Sequence, residues 1–116
     1  MSIQTSLREF GTALRSLEGQ YNVYHYWRPQ MATPFIVWAE TGEADALHGD
    51  NRKGEVLMNI TVDVYTQTEF DRLLDAVFYF FNSREIPFEL SAVEFEEDTK
   101  VVHYSFTCEM IVKENS

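Results

Sequence analysis

From Glu55 to Thr66 the chain reads EVLMNITVDVYT. Apolar residues recur at every second position, and that period belongs to a strand with one face buried. Val56, Met58, Ile60, Val62 and Val64 point one way; Leu57, Asn59, Thr61, Asp63 and Tyr65 point the other. The second set is mostly polar. A sheet built around this strand is covered on one face and partly wet on the other.

Upstream, residues 21–27 read YNVYHYW and residues 35–39 read FIVWA, both rich in strand formers. Pro29 and Pro34 bracket a loop between them. Residues 40–54 hold Gly42, Gly49 and Gly54, mixed charge and few apolar side chains. That reads as one long loop, of a size that tends to be functional or mobile. Downstream, residues 88–95 alternate imperfectly, residues 96–99 (EEDT) read as a turn, and residues 101–112 alternate throughout. Val102, Tyr104, Phe106, Cys108, Met110 and Val112 share one face of this last strand. His103, Ser105, Thr107 and Glu109 share the other.

Two segments carry the helical period. Ile3, Leu7, Phe10, Leu14 and Leu17 step by three and four. Ser6 with Glu9 fits a capping box, Ser2 is an earlier cap, and Gly19 fits a helix C-terminus. A second helix is expected from residue 68 or 69, capped by Thr68, with Phe70, Leu73, Leu74, Val77, Phe78 and Phe81 as its stripe. Asn82 and Ser83 end it, and Pro87 keeps Ile86 out of a helix. The expected fold is therefore α+β with the order α-β-β-β-α-β-β. A mostly antiparallel five-stranded sheet carries two helices on one face, in two layers and a single domain over residues 1–116. Short links between neighbouring strands favour antiparallel pairing.

The length, 116 residues, suits one such domain, and 45% hydrophobic with 24% charged residues are globular proportions. Aromatic residues make up 15%, more than one covered sheet face needs. Nineteen acids oppose nine bases, for a formal charge of −10. A phosphate-neutralising footprint over the whole surface is excluded by that balance, and an anionic membrane would repel it. The charge is uneven. Residues 1–39 carry Arg8, Arg15 and Arg28 against Glu9 and Glu18, and every other acid lies beyond them. The run Glu85, Glu89, Glu94, Glu96, Glu97, Asp98 is uninterrupted by any base. It reads either as a solvated face that favours solubility, or as a surface that avoids DNA or meets a basic partner. The first residues do not read as a signal peptide, and no apolar run is long enough to span a membrane, so folding in a reducing cytoplasm is expected.

Little points to chemistry. Cys108, the one cysteine, sits among Tyr104, Phe106 and Met110 and reads as a small core residue. His25 and His103, with Asp63 as third ligand, are the one metal set that the strands offer, without any supporting spacing; His48 lies in the loop. Residues 49–54 (GDNRKG) open a strand, whereas a phosphate cradle opens a helix. Glu96, Glu97 and Asp98 sit together in a solvated turn, whereas paired catalytic carboxyls need different environments. No set of nucleophile, base and orienting group can be drawn from the sequence, so neither catalysis nor a cofactor is expected. The aromatics Tyr24, Tyr26, Trp27, Phe35 and Trp38 concentrate on two adjacent strands, as core or as interface, with Arg28 beside them.

Several segments taken together carry a resemblance. They are Val23-Tyr24-His25-Tyr26, Pro34-Phe35-Ile36-Val37-Trp38-Ala39-Glu40, Val62-Asp63-Val64-Tyr65-Thr66, and Phe95-Glu96-Glu97-Asp98-Thr99 before His103-Tyr104. Over residues 14–112 the chain resembles the small tail-terminator, or tail-completion, proteins of long-tailed bacteriophages and prophages. The version in hosts of the low-GC Gram-positive kind is the most similar. The resemblance rests on order and spacing. It implies an α+β subunit of a hexameric ring that sits on the finished tail tube, stops its polymerisation and receives the head connector. The implied partners are further copies of the chain, the tail tube protein and the head-completion or connector protein. DNA would pass through without specific binding, and no membrane, catalysis or cofactor is implied. The implied location is the tail end of the virion, after assembly in the bacterial cytoplasm. The contact residues expected from the aromatic strands and the loop are Tyr24, Tyr26, Trp27, Arg28, Trp38, Glu40, Asp45, His48, Asp50, Arg52 and Lys53. A contrasting reading is a small acidic phage-encoded inhibitor of a host protein. A third is a metal enzyme using His25, His103 and Asp63.

Overall fold

The structure, a computed structural model, describes residues 3–17, 22–27, 33–44 and 55–113. The elements run α1 (Ile3–Arg15), β1 (Asn22–His25), β2 (Phe35–Glu43), β3 (Glu55–Thr66), α2 (Arg72–Ser83), β4 (Phe88–Glu96) and β5 (Val101–Lys113). The strands form one five-stranded sheet in the order β1-β2-β3-β5-β4. Both helices pack on one face, which gives the α+β two-layer architecture that the periodicities predict.

The alternation in β3 shows as alternating burial from Ile60 to Thr66, while residues 55–59 are all half-buried. Ile60, Val62 and Val64 are fully buried beneath the helices. They meet Leu7, Phe10 and Leu14 of α1 and Leu73, Val77, Phe80 and Phe81 of α2. β5 pairs with β3 along its whole length, from Glu55 opposite Lys113 to Thr66 opposite Val102. That register puts Phe106, Cys108 and Val112 into the same core.

Four local expectations are corrected. First, β1 pairs with β2 in parallel, Asn22 opposite Phe35 and His25 opposite Trp38. Short links usually imply antiparallel neighbours because a parallel return must retrace the strand. Here the strand has only four residues. Retracing it takes about 13 Å at ~3.3 Å per residue, well within the reach of residues 26–34. Second, β2 continues to Glu43, so Glu40 belongs to a strand and not to the loop. The ladder slips between Glu40 and Gly42, where a bulge keeps pairing with β3.

Third, α2 begins four residues later than Thr68. The Thr66 hydroxyl donates to Asp71 Oδ2 and accepts the Thr68 N–H at 3.0 Å. Asp71 Oδ1 then accepts the Leu73 N–H at 2.9 Å and caps the helix. Phe70 has a φ of 58°, a left-handed value that no helix continues through, and it leaves the apolar stripe for solvent. Fourth, Ser6 is a buried residue inside α1, not its cap. Ser2 and Gly19 lie outside the described residues. The turn of the last hairpin occupies residues 97–100, one position later than expected.

The packing of α1 on the sheet depends on a missing side chain. A Cβ on Gly11 would lie 2.7 Å from Cζ2 of Trp38. Gly-to-Ala exchange in a helix ordinarily stabilises by about 1 kcal/mol. Overpacking costs about 1–3 kcal/mol. The exchange Gly11→Ala is therefore expected to lower stability, with a lower urea midpoint. A raised midpoint would show that Trp38 yields freely and that the contact is not tight.

Candidate functional site

Three surfaces bring functional side chains together. The first lies at the end of β1. The rings of Tyr26, His25 and Trp38 form a column, with centroids 4.1 Å apart between Tyr26 and His25 and 4.0 Å apart between His25 and Trp38. The parallel register creates it, because it sets His25 directly beside Trp38. Tyr26 has a φ of 75°, and its N–H still reaches the Trp38 carbonyl at 2.8 Å. The chain thus turns at Tyr26 while its ring lies back over His25. Trp27 follows and is 80% exposed.

Glu40 of β2 ties the column together. His25 Nε2 lies 2.7 Å from Glu40 Oε1, and the Tyr26 hydroxyl donates to the same carboxylate. Burial pushes the Glu40 carboxyl up, but the hydrogen bonds from Tyr26 and His25 outweigh it and hold it below its ordinary value. The Tyr26 hydroxyl is moved the other way, chiefly by its hydrogen bond to Glu40. Beside the column a cleft of about 340 Å³ is lined by Gln4, Arg8, Thr12 and Arg15 of α1. Two cations on one helical stripe thus flank the aromatic end of β1.

The second surface is on the opposite sheet face. Phe35, Tyr65 and His103 stack, with centroids 4.6 Å and 4.2 Å apart. His103 Nε2 lies 2.9 Å from Asp63 Oδ1 and 3.1 Å from Ser105 Oγ. Serine, histidine and aspartate therefore meet, but on one nitrogen. On the ring's other nitrogen, Nδ1, Glu94 Oε1 lies 3.5 Å away, too long for the hydrogen bond that orients the imidazole in a proton relay. Here the trio cross-links β3 and β5. His25 lies on the helix face with Trp38, so the sheet separates it from His103 and Asp63. The three are not brought together as metal ligands. Among the described residues no group of three or more His, Cys, Asp or Glu side chains is arranged to hold a metal.

The third surface lies between the start of α2 and the last hairpin. Phe70, Leu74, Phe95, Val102 and Tyr104 line a groove of about 630 Å³, with Glu69, Asp71, Asp75 and Lys100 at its rim. Phe70 is 92% exposed and Phe95 57%. The groove exists because α2 meets the edge strand β4 at its start, where Phe88 packs on Phe78 and Phe81, and leaves the rest of the strand exposed. A bulge between Leu90 and Ala92 keeps Leu90, Val93 and Phe95 on the helix-side face despite their uneven spacing. This surface is not among those that the sequence pattern predicts. Phe70 has the spacing of the α2 apolar stripe, and the spacing of Leu90, Val93 and Phe95 (three, then two) is the signal that points to this surface.

The expected contact residues divide accordingly. Tyr26 and Trp27 are exposed, and Tyr24 is half-buried against Phe35 on the outer face. Trp38 is not a surface residue. It is 5% exposed and packs edge-on to Phe10, because β2 crosses under α1. Glu40 is partly buried in β2. Arg28, Asp45, His48, Asp50, Arg52 and Lys53 lie outside the described residues. Cys108 is buried, as expected of a core residue, and burial pushes its thiol up to about 12. No protein-family model and no curated protein matches the chain.

A carboxyl whose folded value is depressed contributes stability above its unfolded value and loses it as pH falls through the folded one. Exchange of Tyr26→Phe is expected to raise the Glu40 titration midpoint, and Glu40→Gln to flatten the acid limb of the stability–pH curve. Carbon-detected titration of the side-chain carboxyls reads the first directly, and an unmoved Glu40 midpoint would dissolve the proposed coupling. Cys108 is expected to resist a thiol reagent at neutral pH in the native protein and to react stoichiometrically in urea. Rapid native labelling would contradict its burial.

Proposed function

We propose that the chain is a structural assembly subunit that forms a ring on the end of a phage tail tube, ends its polymerisation and joins tail to head. One observation carries this reading. Most of the exposed large apolar side chains gather at the two edges of one sheet, Tyr26 and Trp27 beyond β1, and Leu90, Val93 and Phe95 on β4 with Phe70 facing Phe95, while Tyr79 on α2 and Ile111 on β5 lie apart. Scattered exposed apolar residues are ordinary, whereas concentrated ones mark contact surfaces. A subunit with a sticky patch at each side is suited to neighbours on both sides.

The charge supports the same reading. Glu89, Glu94, Glu96, Glu97 and Asp98 are all exposed on β4 and its turn. A lumen lined by such groups would let DNA pass without holding it. The partners on this reading are the other copies of the chain, the tail tube protein and the head connector, with no cofactor. The ring is placed at the tail end of the virion.

Native mass spectrometry and negative-stain images of the purified protein test it, alone and with tail tube protein added. A closed ring, hexameric by the resemblance, is expected. A strict monomer at high concentration under both conditions would remove the proposal. A 1:1 complex with a host protein in place of a ring would favour the inhibitor reading.

A further inference from the structure

We propose that the ring closes head to tail, with Trp27 of one copy seated in the Phe70–Phe95 groove of the next. This deepens the ring reading above and rests on it. The groove suits an exposed apolar anchor, and of those the described surface offers outside it (Tyr26, Trp27, Tyr79 and Ile111) Trp27 is the most exposed and lies at the opposite edge of the sheet. The groove volume of about 630 Å³ admits an indole.

Charge selects between the possible pairings. Arg8 and Arg15 line the cleft beside the Tyr26–His25–Trp38 column, together with Glu40. Glu69, Asp71 and Asp75 line the groove, together with Lys100. Joining two Trp27 patches sets arginines against arginines, and joining two grooves sets carboxylates against carboxylates. Joining patch to groove sets opposite signs together, and like charges in contact are costly. The favoured contact is therefore between different surfaces of identical chains. Such a heterologous contact does not stop at a dimer; it continues until a ring closes. The opposite edges of the sheet, where β1 and β4 lie, suit that geometry.

The test uses two full-length variants, Trp27→Ala and Phe95→Ser. Both side chains are exposed in the single chain, so thermal melting of each variant is expected to match that of the dilute, unassembled wild type. Each variant alone is expected to be monomeric, with self-affinity at least about thirtyfold weaker, the scale of a lost tryptophan anchor. The decisive sample is their equimolar mixture. The Trp27→Ala chain keeps its groove and the Phe95→Ser chain keeps its tryptophan, so one intact contact remains. A 1:1 heterodimer that grows no further is expected by native mass spectrometry. If both variants still form rings, this contact is wrong while the ring reading stands. If the mixture stays monomeric, the pairing is not head to tail and the inference fails. If the wild type never assembles, the ring reading fails first. A second measurement does not depend on the variants. Trp38 is buried in the single chain, so a blue shift of tryptophan emission on assembly reports Trp27. An emission unchanged between dilute monomer and ring would overturn the seating of its indole.

Discussion

The contact between Trp38 and Gly11 holds the molecule's functional end in place. The indole of Trp38 lies where a Cβ on Gly11 would be. It also meets the ring of Phe10 at 5.2 Å, so α1 is seated on β2 by an aromatic wedge. The same indole stacks on His25, and His25 stacks on Tyr26. One buried side chain thus couples the core to the surface through stacked rings. Dispersion and quadrupole contacts of this kind are each modest, but a column of them fixes orientation. The direction in which Trp27 leaves the sheet depends on that column.

Much of this was legible from periodicity. β3 is readable because one face of a central strand is buried from Ile60 to Thr66, and burial forces alternation. α1 was readable for the same reason with a different period. The start of α2 was not, because it is set by a long-range event. Thr66 at the end of β3 and Asp71 bind each other, and the turn they close excludes Phe70 from the helix. An aromatic residue at helical spacing looks the same in sequence whether it is buried or ejected. The parallel pairing of β1 escaped for another reason. Connection length predicts pairing sense only when the strand to be retraced is long.

The interaction surface was half legible. Exposed Tyr26 and Trp27 stood out as an aromatic cluster, whereas Trp38, from the same cluster, is core. Alternation along β2 distinguishes the two sides of a strand, yet it cannot tell which side the helices cover. The groove on β4 was hidden by a bulge. An extra residue at Ser91 breaks the two-residue period, so that Leu90, Val93 and Phe95 look irregular while sharing one face. Ser91 itself turns outward and bonds the Ser105 carbonyl and the Thr107 hydroxyl. A polar residue bound to the outer face marks where the period slipped.

A chain with a net charge of −10 resists its own association at long range, and assembly must overcome that over short distances. The placement of charge on β4 shows how both can hold. Glu89 pairs across to Thr107 and Glu94 to His103, positions on the outer sheet face. Leu90, Val93 and Phe95 occupy the helix-side face of the same strand. Two sheets brought together by their outer faces would set these carboxylates against their copies. Approach along the edge of β4 on its helix side meets apolar surface first. Electrostatics thus disfavours stacking by faces and leaves lateral contact open, which is the direction of growth that a ring requires. The acidity of the chain, bland as a composition, becomes a constraint on geometry once the bulge assigns each side chain of β4 to a face.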